Sequence, residues 1–448
     1  MQTPLYDFMK AYAESGFTRF HMPGHKGKKF VGYEDIDITE FYGADSLYEA
    51  DGIIAASEQN ATNLFGTKNT FYSAEGSSQC IRAMMYLAMI NKKGTSRPKI
   101  VAARNVHKSF IYAATLLDFD IVWLWPKGDI RSLCSCEVSR DDLEDTLRNM
   151  EETPAAVYIT SPDYLGGMAD IKGLSEVCHK YGTILIVDNA HGAYLKFLTP
   201  SLHPMDLGAD ICCDSAHKTL PVVTGGAYLH ISKDAPESFG EYAKYALALF
   251  GSTSPSYLIM ASLDLCNKYL SESYKERLEK TIGVIEDCKE ILKTNGWQLE
   301  KTDPLKITIS APDGMTGLGI ADILRRNRIE CEYSDPEYVV LMATPENNEE
   351  DFSRLINSLG KNERAYSDKI SLPIKNTESV MTVRNAVFSE HEMISSKDGY
   401  GRICRELTVA CPPAIPIAVP GEIISEDMVK LFEYYGVENI NVVKQAGF

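Results

Sequence analysis

Ile184-Leu185-Ile186-Val187-Asp188-Asn189-Ala190-His191 and, after a polar interval, Ile211-Cys212-Cys213-Asp214-Ser215-Ala216-His217-Lys218 are the stretches on which the reading of this chain turns. Each begins as a short uninterrupted run of β-forming apolar residues, the pattern of a strand buried on both faces of a parallel sheet. Each ends in side chains that carry chemistry: Asp188 in the first, Ser215, His217 and Lys218 in the second. Ligands of open α/β sheets gather beyond the carboxyl ends of the strands, so both ends are expected at one site.

Outward from these runs, residues 66–230 alternate β-rich and helical stretches, with strands expected at 99–102, 121–124, 156–160, 184–188, 210–213 and 226–230. Such alternation implies an α/β fold with a mostly parallel sheet covered by helices. Residues 256–295 read as helical. A second alternation follows, with strands at 307–310 and 338–342 and a helix near 318–326, which reads as a smaller α/β domain. A third segment begins after the polar stretch 361–368.

With 448 residues the chain is long enough for two or three domains. Its 44% hydrophobic and 24% charged residues are those of a globular protein, which excludes a largely disordered or fibrous chain. The 62 acidic against 45 basic residues give a formal charge of -17, which disfavours nucleic acid and anionic membrane as partners. No apolar run approaches the roughly 20 residues that span a bilayer, and residues 1–8 lack the pattern of a secretory signal. The 11 scattered cysteines read as free thiols. A cytoplasmic protein is expected.

Burying the Asp188 carboxylate costs several kcal/mol unless it is paired. A protonated pyridine nitrogen would supply the pairing; a backbone N–H or a metal are the alternatives. Lys218, just after a buried strand and beside His217, has the setting in which desolvation and a neighbouring cation make a lysine nucleophilic enough to bond an aldehyde. A surface lysine at a strand end is the plain alternative. Together the acid and the lysine are what a pyridoxal 5'-phosphate site requires.

Two further segments fit that reading. Ser73-Ala74-Glu75-Gly76-Ser77-Ser78 heads a helical pattern of Cys80, Ile81, Met84, Met85 and Ala88. Gly76, Ser77 and Ser78 would present N–H groups and hydroxyls to a phosphate, although an ordinary serine cap explains the same residues. Ser215 and His217 would reach the same phosphate. Arg104-Asn105-Val106-His107-Lys108-Ser109 follows the strand at 99–102 and puts His107 where an imidazole stacks on a flat heteroaromatic ring; a solvated loop histidine is the alternative. Phe20-His21-Met22-Pro23-Gly24-His25-Lys26-Gly27 reads as an anion-friendly turn. No metal site is expected, since Asp188 with His191, or Cys134-Ser135-Cys136, makes no ligand set.

These ordered motifs, with Asp37-Ile38-Thr39-Glu40, Gly401-Arg402-Ile403, Pro412-Pro413-Ala414-Ile415-Pro416 and Pro420-Gly421-Glu422, resemble the bacterial ornithine/lysine/arginine decarboxylases along nearly the whole chain. The resemblance implies the aspartate aminotransferase-like fold (fold type I), with a seven-stranded, mostly parallel sheet, a smaller α/β domain and a C-terminal α+β domain. It implies four parts: an N-terminal segment 1–65 contributing to the active site and dimer, a cofactor-binding large domain 66–270, a small domain 271–368 and a C-terminal domain 369–448. It also implies a short form without the N-terminal wing domain of the long members.

By the same resemblance Lys218 bonds the cofactor, Asp188 meets its pyridine nitrogen, His107 stacks on its ring, and Ser77, Ser78, Ser215 and His217 surround its phosphate. Gly76, Ala190 and His191 complete the expected cofactor shell. The site is expected between two subunits, so a homodimer or larger homo-oligomer is implied. The sequence departs from the family's usual pattern at Cys411 (tyrosine), Ala414 (glycine) and His191 (tryptophan), which leaves the substrate open. The expected activity is decarboxylation of a basic L-amino acid, arginine or lysine and also ornithine, to its amine and carbon dioxide. Lys218 or His217 would return the proton to Cα, and Glu422 or Asp45 would hold the substrate's cationic end. The alternatives are another cofactor-dependent reaction, such as transamination with Arg384 clamping the carboxylate, or a non-catalytic regulatory subunit.

Overall fold

The computed structural model describes every residue except 95, 128–130, 368–370, 373–375, 408–409, 412–414 and 446–448. Pro412, Pro413 and Ala414 of the family-like C-terminal motif, and the expected boundary at 368–369, thus lie outside the described residues. Fourteen strands occur among the described residues. β1 (Asn69–Ser73), β2 (Lys99–Ala103), β3 (Asp120–Leu124), β4 (Ala156–Thr160), β5 (Leu185–Asp188), β6 (Ile211–Asp214) and β7 (Ala227–Ile231) make a sheet of order β1-β7-β6-β5-β4-β2-β3. β8 (Lys306–Ser310), β9 (Tyr333–Ser334) and β10 (Tyr338–Met342) make an antiparallel sheet of order β8-β10-β9. β11 (His391–Ser395) pairs with β14 (Asn439–Val443), and β12 (Ala410–Cys411) with β13 (Ile415–Pro416).

In the seven-stranded sheet β5 runs parallel to β6, and β2 parallel to β3 and β4, while β7 is antiparallel to both β6 and β1. The α/β, mostly parallel architecture is therefore as expected. β5 and β6 are buried at every residue, and β7 likewise, so their continuous apolar runs are those of strands covered on both faces. β1 is an addition to the expected strands.

The chain divides into two compact units, Met1–Asn91 with Ile184–Leu278, and Lys92–Thr183 with Glu279–Phe448. In the first, a buried polar network ties helices to strands. Asn267, on the helix Tyr257–Glu272, donates to Tyr72 Oη of β1 (2.7 Å) and accepts from Tyr228 Oη of β7 (2.9 Å). Asp264 on the same helix accepts the N–H groups of Leu5 (3.1 Å) and Tyr6 (3.0 Å), placing a carboxylate at the positive end of the helix Pro4–Glu14.

In the second unit Arg104, 5% exposed, lies over Trp123 and Trp125. It donates to the carbonyls of Pro416 (3.0 Å) and Ile417 (3.1 Å) and pairs with Glu422 at 3.3 Å. A core of Leu133, Tyr333, Val340, Ile417, Phe432 and Val442 joins the small sheet to the C-terminal segment. No helix among the described residues is long and apolar enough to cross a membrane.

Candidate functional site

The helix Ser77–Ile90 forms where the sequence places it, with Cys80, Ile81, Met84, Met85 and Ala88 all buried. At its N-cap Gly76 stands at φ 72°, ψ 179° and offers no side chain to cap the first turn. The Gly76 N–H donates to Gly225 O (2.7 Å), and Gly225 is itself at φ +98° with an added Cβ only 3.1 Å from Ala74 O. Both glycines are required by backbone the L side chains avoid. Ser77 and Ser78 are half-buried, and Ser215 Oγ donates to Ser77 Oγ at 2.8 Å across the 138 residues between them. First-turn amides without a side-chain cap, two hydroxyls and the positive helix end make a cradle that fits a phosphate.

Asp188 closes β5 and is 2% exposed, accepting the Ala190 N–H (3.2 Å) with the Cys213 thiol 3.8 Å away. Burial, with the Asp188 charge second, pushes the Cys213 thiol well up, so it stays protonated and able to donate. One turn beyond β6, on the short helix Ala216–Thr219, the Lys218 Nζ stands 2.8 Å from His191 Nε2. His217 on the same helix turns its Nδ1 to the Gly226 carbonyl at 3.1 Å. The first unit thus brings together Asp188, Ala190, His191, Ser215, His217 and Lys218 at the ends of two paired strands, with Gly76, Ser77 and Ser78 beside Ser215.

His107 belongs to the second unit, where it leaves β2. Its Nδ1 accepts the Ser109 N–H (3.2 Å) and caps the helix Lys108–Leu117, so its Nε2 carries the proton.

Three other expected roles meet structural partners. Asp45 accepts the N–H groups of Ser46, Gly52 and Ile54, each at 2.9 Å, capping the helix Ile53–Phe65. Its carboxylate is thereby taken up by backbone rather than offered to a substrate cation. Glu422 Oε2 is shared by Arg104 and the Val419 N–H, while its Oε1, buried, has no hydrogen-bond partner among the described residues. Arg384 donates to Leu116 O at 3.1 Å, closing the carboxyl end of the helix Lys108–Leu117. The guanidinium expected to clamp a carboxylate in transamination is committed to that carbonyl and, at 3.5 Å, to Thr115 O.

Sequence reasoning missed a buried hub. Asp214, at the end of β6, accepts from His203 Nε2 and His230 Nε2, each at 3.0 Å to Oδ2, and from Asn189 Nδ2 at 2.6 Å to Oδ1. Burial alone would push the Asp214 carboxyl up, but the two histidines bring it well below the usual carboxylate range. Burial lowers the His230 pKa in turn, favouring the neutral ring. His203, Asp214 and His230 also converge as metal ligands would, their donor atoms within 4.8 Å of one another. Yet His203 Nδ1 faces the Met205 N–H at 3.4 Å, which leaves the proton on Nε2 and no lone pair there for a metal. No local spacing announces this hub, because its members come from four separate segments.

Comparison with known proteins finds decarboxylases of basic amino acids. The arginine decarboxylase of Bacillus subtilis is 30% identical, aligned over 95% of this chain and 92% of its own. That of Halalkalibacterium halodurans is 28% identical over 95% and 91%. Among solved structures, the constitutive lysine decarboxylase of E. coli superposes with a TM-score of 0.80 at 18% identity, covering 99% of this chain and 82% of that one. Lysine decarboxylase A from Pseudomonas aeruginosa gives 0.81 at 16%, covering 98% and 80%. At such identities the two structures show a shared fold. The model of the Orn/Lys/Arg decarboxylase major domain matches residues 3–311, and the chain belongs to the ornithine/lysine/arginine decarboxylase family.

Proposed function

We propose that this protein removes the α-carboxylate of a basic L-amino acid, arginine or lysine first and ornithine next, releasing the amine and carbon dioxide with pyridoxal 5'-phosphate as cofactor. The observation that carries the reading is the pair Asp188 and Lys218 at the ends of two neighbouring strands, in a chain of this family. When bound, the cofactor supplies an electron sink for the pair left on Cα as carbon dioxide departs.

The chain's own residues take the remaining roles. Lys218 Nζ would hold the cofactor covalently, and His191, with Nε2 2.8 Å away, orients that amine. Asp188 would pair with the pyridine nitrogen, a partner that offsets the cost of its burial. The Ala190 N–H and the Cys213 thiol, both donating to Oδ1, orient that carboxylate. Ser77, Ser78, Ser215 and the amide-rich turn at Gly76 would take the phosphate. His107, with Nδ1 spent on its helix cap, would offer its ring face to the cofactor and Nε2–H to the substrate carboxylate. Lys218, once released, or His217 would deliver the proton to Cα. Glu422, whose Oε1 has no hydrogen-bond partner among the described residues, would meet the substrate's cationic end.

We assign the protein to the cytoplasm and to a homodimer or larger homo-oligomer. The dimer is supported by Phe20, Phe30 and Tyr42, which are 93%, 81% and 101% exposed near the N-terminus, an apolar display that a second copy would cover. We propose polyamine synthesis as the role, which the amine product would serve. The test is release of labelled carbon dioxide from arginine, lysine and ornithine carrying the label in the carboxylate. Release matched by the corresponding amine supports the reading; the cofactor turning instead into its amine form would indicate transamination.

A further inference from the structure

The hub around Asp214 lies directly behind the residues assigned above. Asn189 follows Asp188 in sequence, Asp214 precedes Ser215, and their side chains meet at 2.6 Å, joining the turn after β5 to the end of β6. A carboxylate accepts from several donors at once, and Asp214 does so from Asn189, His203 and His230 while fully buried. The amide of Asn189 is held from the other side by the shape of the turn. An added Cβ at Gly192 would sit 2.0 Å from Asn189 Oδ1, and Gly192 has φ -121°, so space rather than backbone conformation requires the glycine. Between these two residues stands His191, 2.8 Å from Lys218.

We propose that Asp214, Asn189 and Gly192 form a buried clamp that fixes the turn 189–192 and, through it, the His191–Lys218 contact. They are positioning residues for the reaction proposed above, on which the inference rests. The clamp uses hydrogen-bond geometry and vacant space rather than net charge. Asn189 Oδ1 is buried without a hydrogen-bond partner among the described residues, so the amide can turn over and accept where it now donates. Exchange of Asp214 for asparagine is therefore tolerated: the new carbonyl takes over the two histidine donors, and the new NH2 meets the turned Asn189 carbonyl.

The test reads Lys218 itself in the full-length, cofactor-free protein, from the pH dependence of its acetylation by acetic anhydride followed by mass spectrometry. Titratable groups beside it among the described residues include His191, with Nε2 2.8 Å from Lys218 Nζ, and the adjoining His217 on the same helix. Gly192→Ala, whose Cβ displaces the Asn189 amide, and Asn189→Ala, which removes it, should each move the Lys218 midpoint by ~0.5 pH unit or more. With cofactor present both should lower kcat by ~10-fold or more while KM stays within ~3-fold. Asp214→Asn should keep the native midpoint and most of kcat.

If the alanine variants lose only thermal stability and keep the native midpoint, the clamp is structural alone and the proposal fails. It fails equally if Asp214→Asn is as damaging as Asn189→Ala, since charge would then be the operative property, or if the purified protein holds a stoichiometric transition metal. A native protein without decarboxylase activity would overturn the proposed function, whereas the acetylation midpoints would still decide for or against the clamp.

Discussion

Replacing Asp163 by asparagine should stabilise the protein near neutral pH and leave it unchanged at about pH 4. Asp163 is 7% exposed in the turn after β4, where its Oδ1 accepts the Gly167 N–H at 2.8 Å. Burial pushes its carboxyl up from 3.8 to about 6, with the nearby Lys306 charge and the backbone N–H groups opposing. Between those values the folded chain holds a proton that the unfolded chain has lost. Stability attributable to this group is therefore present below the unfolded value and is lost as pH rises through the folded one.

Two pKa units correspond to roughly 3 kcal/mol. Asparagine keeps an acceptor for the Gly167 N–H but gives up the charge assistance of that bond, on the order of 1 kcal/mol. The expected net gain at about pH 7.5 is about 1–2 kcal/mol, falling to near zero at about pH 4. The assay is denaturant unfolding by tryptophan fluorescence, since all three tryptophans, Trp123, Trp125 and Trp297, lie in the unit that holds Asp163. Equal stability of variant and native protein at both pH values, or a loss at about pH 7.5, would refute the reasoning.

Three further substitutions probe the site and its scaffold. Gly225→Ala forces a side chain into φ +98° and against Ala74 O, so cofactor affinity should fall by ~10-fold or more, read by fluorescence titration of the cofactor. Asp188→Asn leaves the shape but not the charge, and kcat should drop by ~100-fold or more with little change in KM, measured by steady-state release of carbon dioxide. Arg104→Leu would strand the buried Glu422 and the carbonyls of Pro416 and Ile417. A stability loss of about 3–5 kcal/mol is expected in the same tryptophan assay.

The strands β2 to β7 were legible because each is a short run rich in β-forming apolar residues bounded by polar stretches, the usual strand pattern. β1 was not, because Asn69 and Ser73 are polar and its place comes from antiparallel pairing with β7, Tyr72 opposite Tyr228. Asp188 and Lys218 fall at neighbouring strand ends, as expected, because the apolar runs before them set β5 and β6. Ser77 was legible as a helix start, but only the structure joins it to Ser215, at 2.8 Å. The Asp214 hub was invisible: His203, His230 and Asn189 stand 11, 16 and 25 residues from it, spacings that match no motif. Asp45 and Arg384 looked available in sequence because their partners are backbone groups, which a sequence does not display.

The measurement closest to the central claim is carbon dioxide and amine formation by the native protein and Lys218→Ala, each given pyridoxal 5'-phosphate and a mixed pool of amino acids. The native protein should form equal amounts of carbon dioxide and the amine of a basic amino acid. Lys218→Ala should show neither turnover nor the absorbance of covalently held cofactor. Native protein that holds the cofactor through Lys218 yet releases no carbon dioxide from arginine, lysine or ornithine would contradict the central claim.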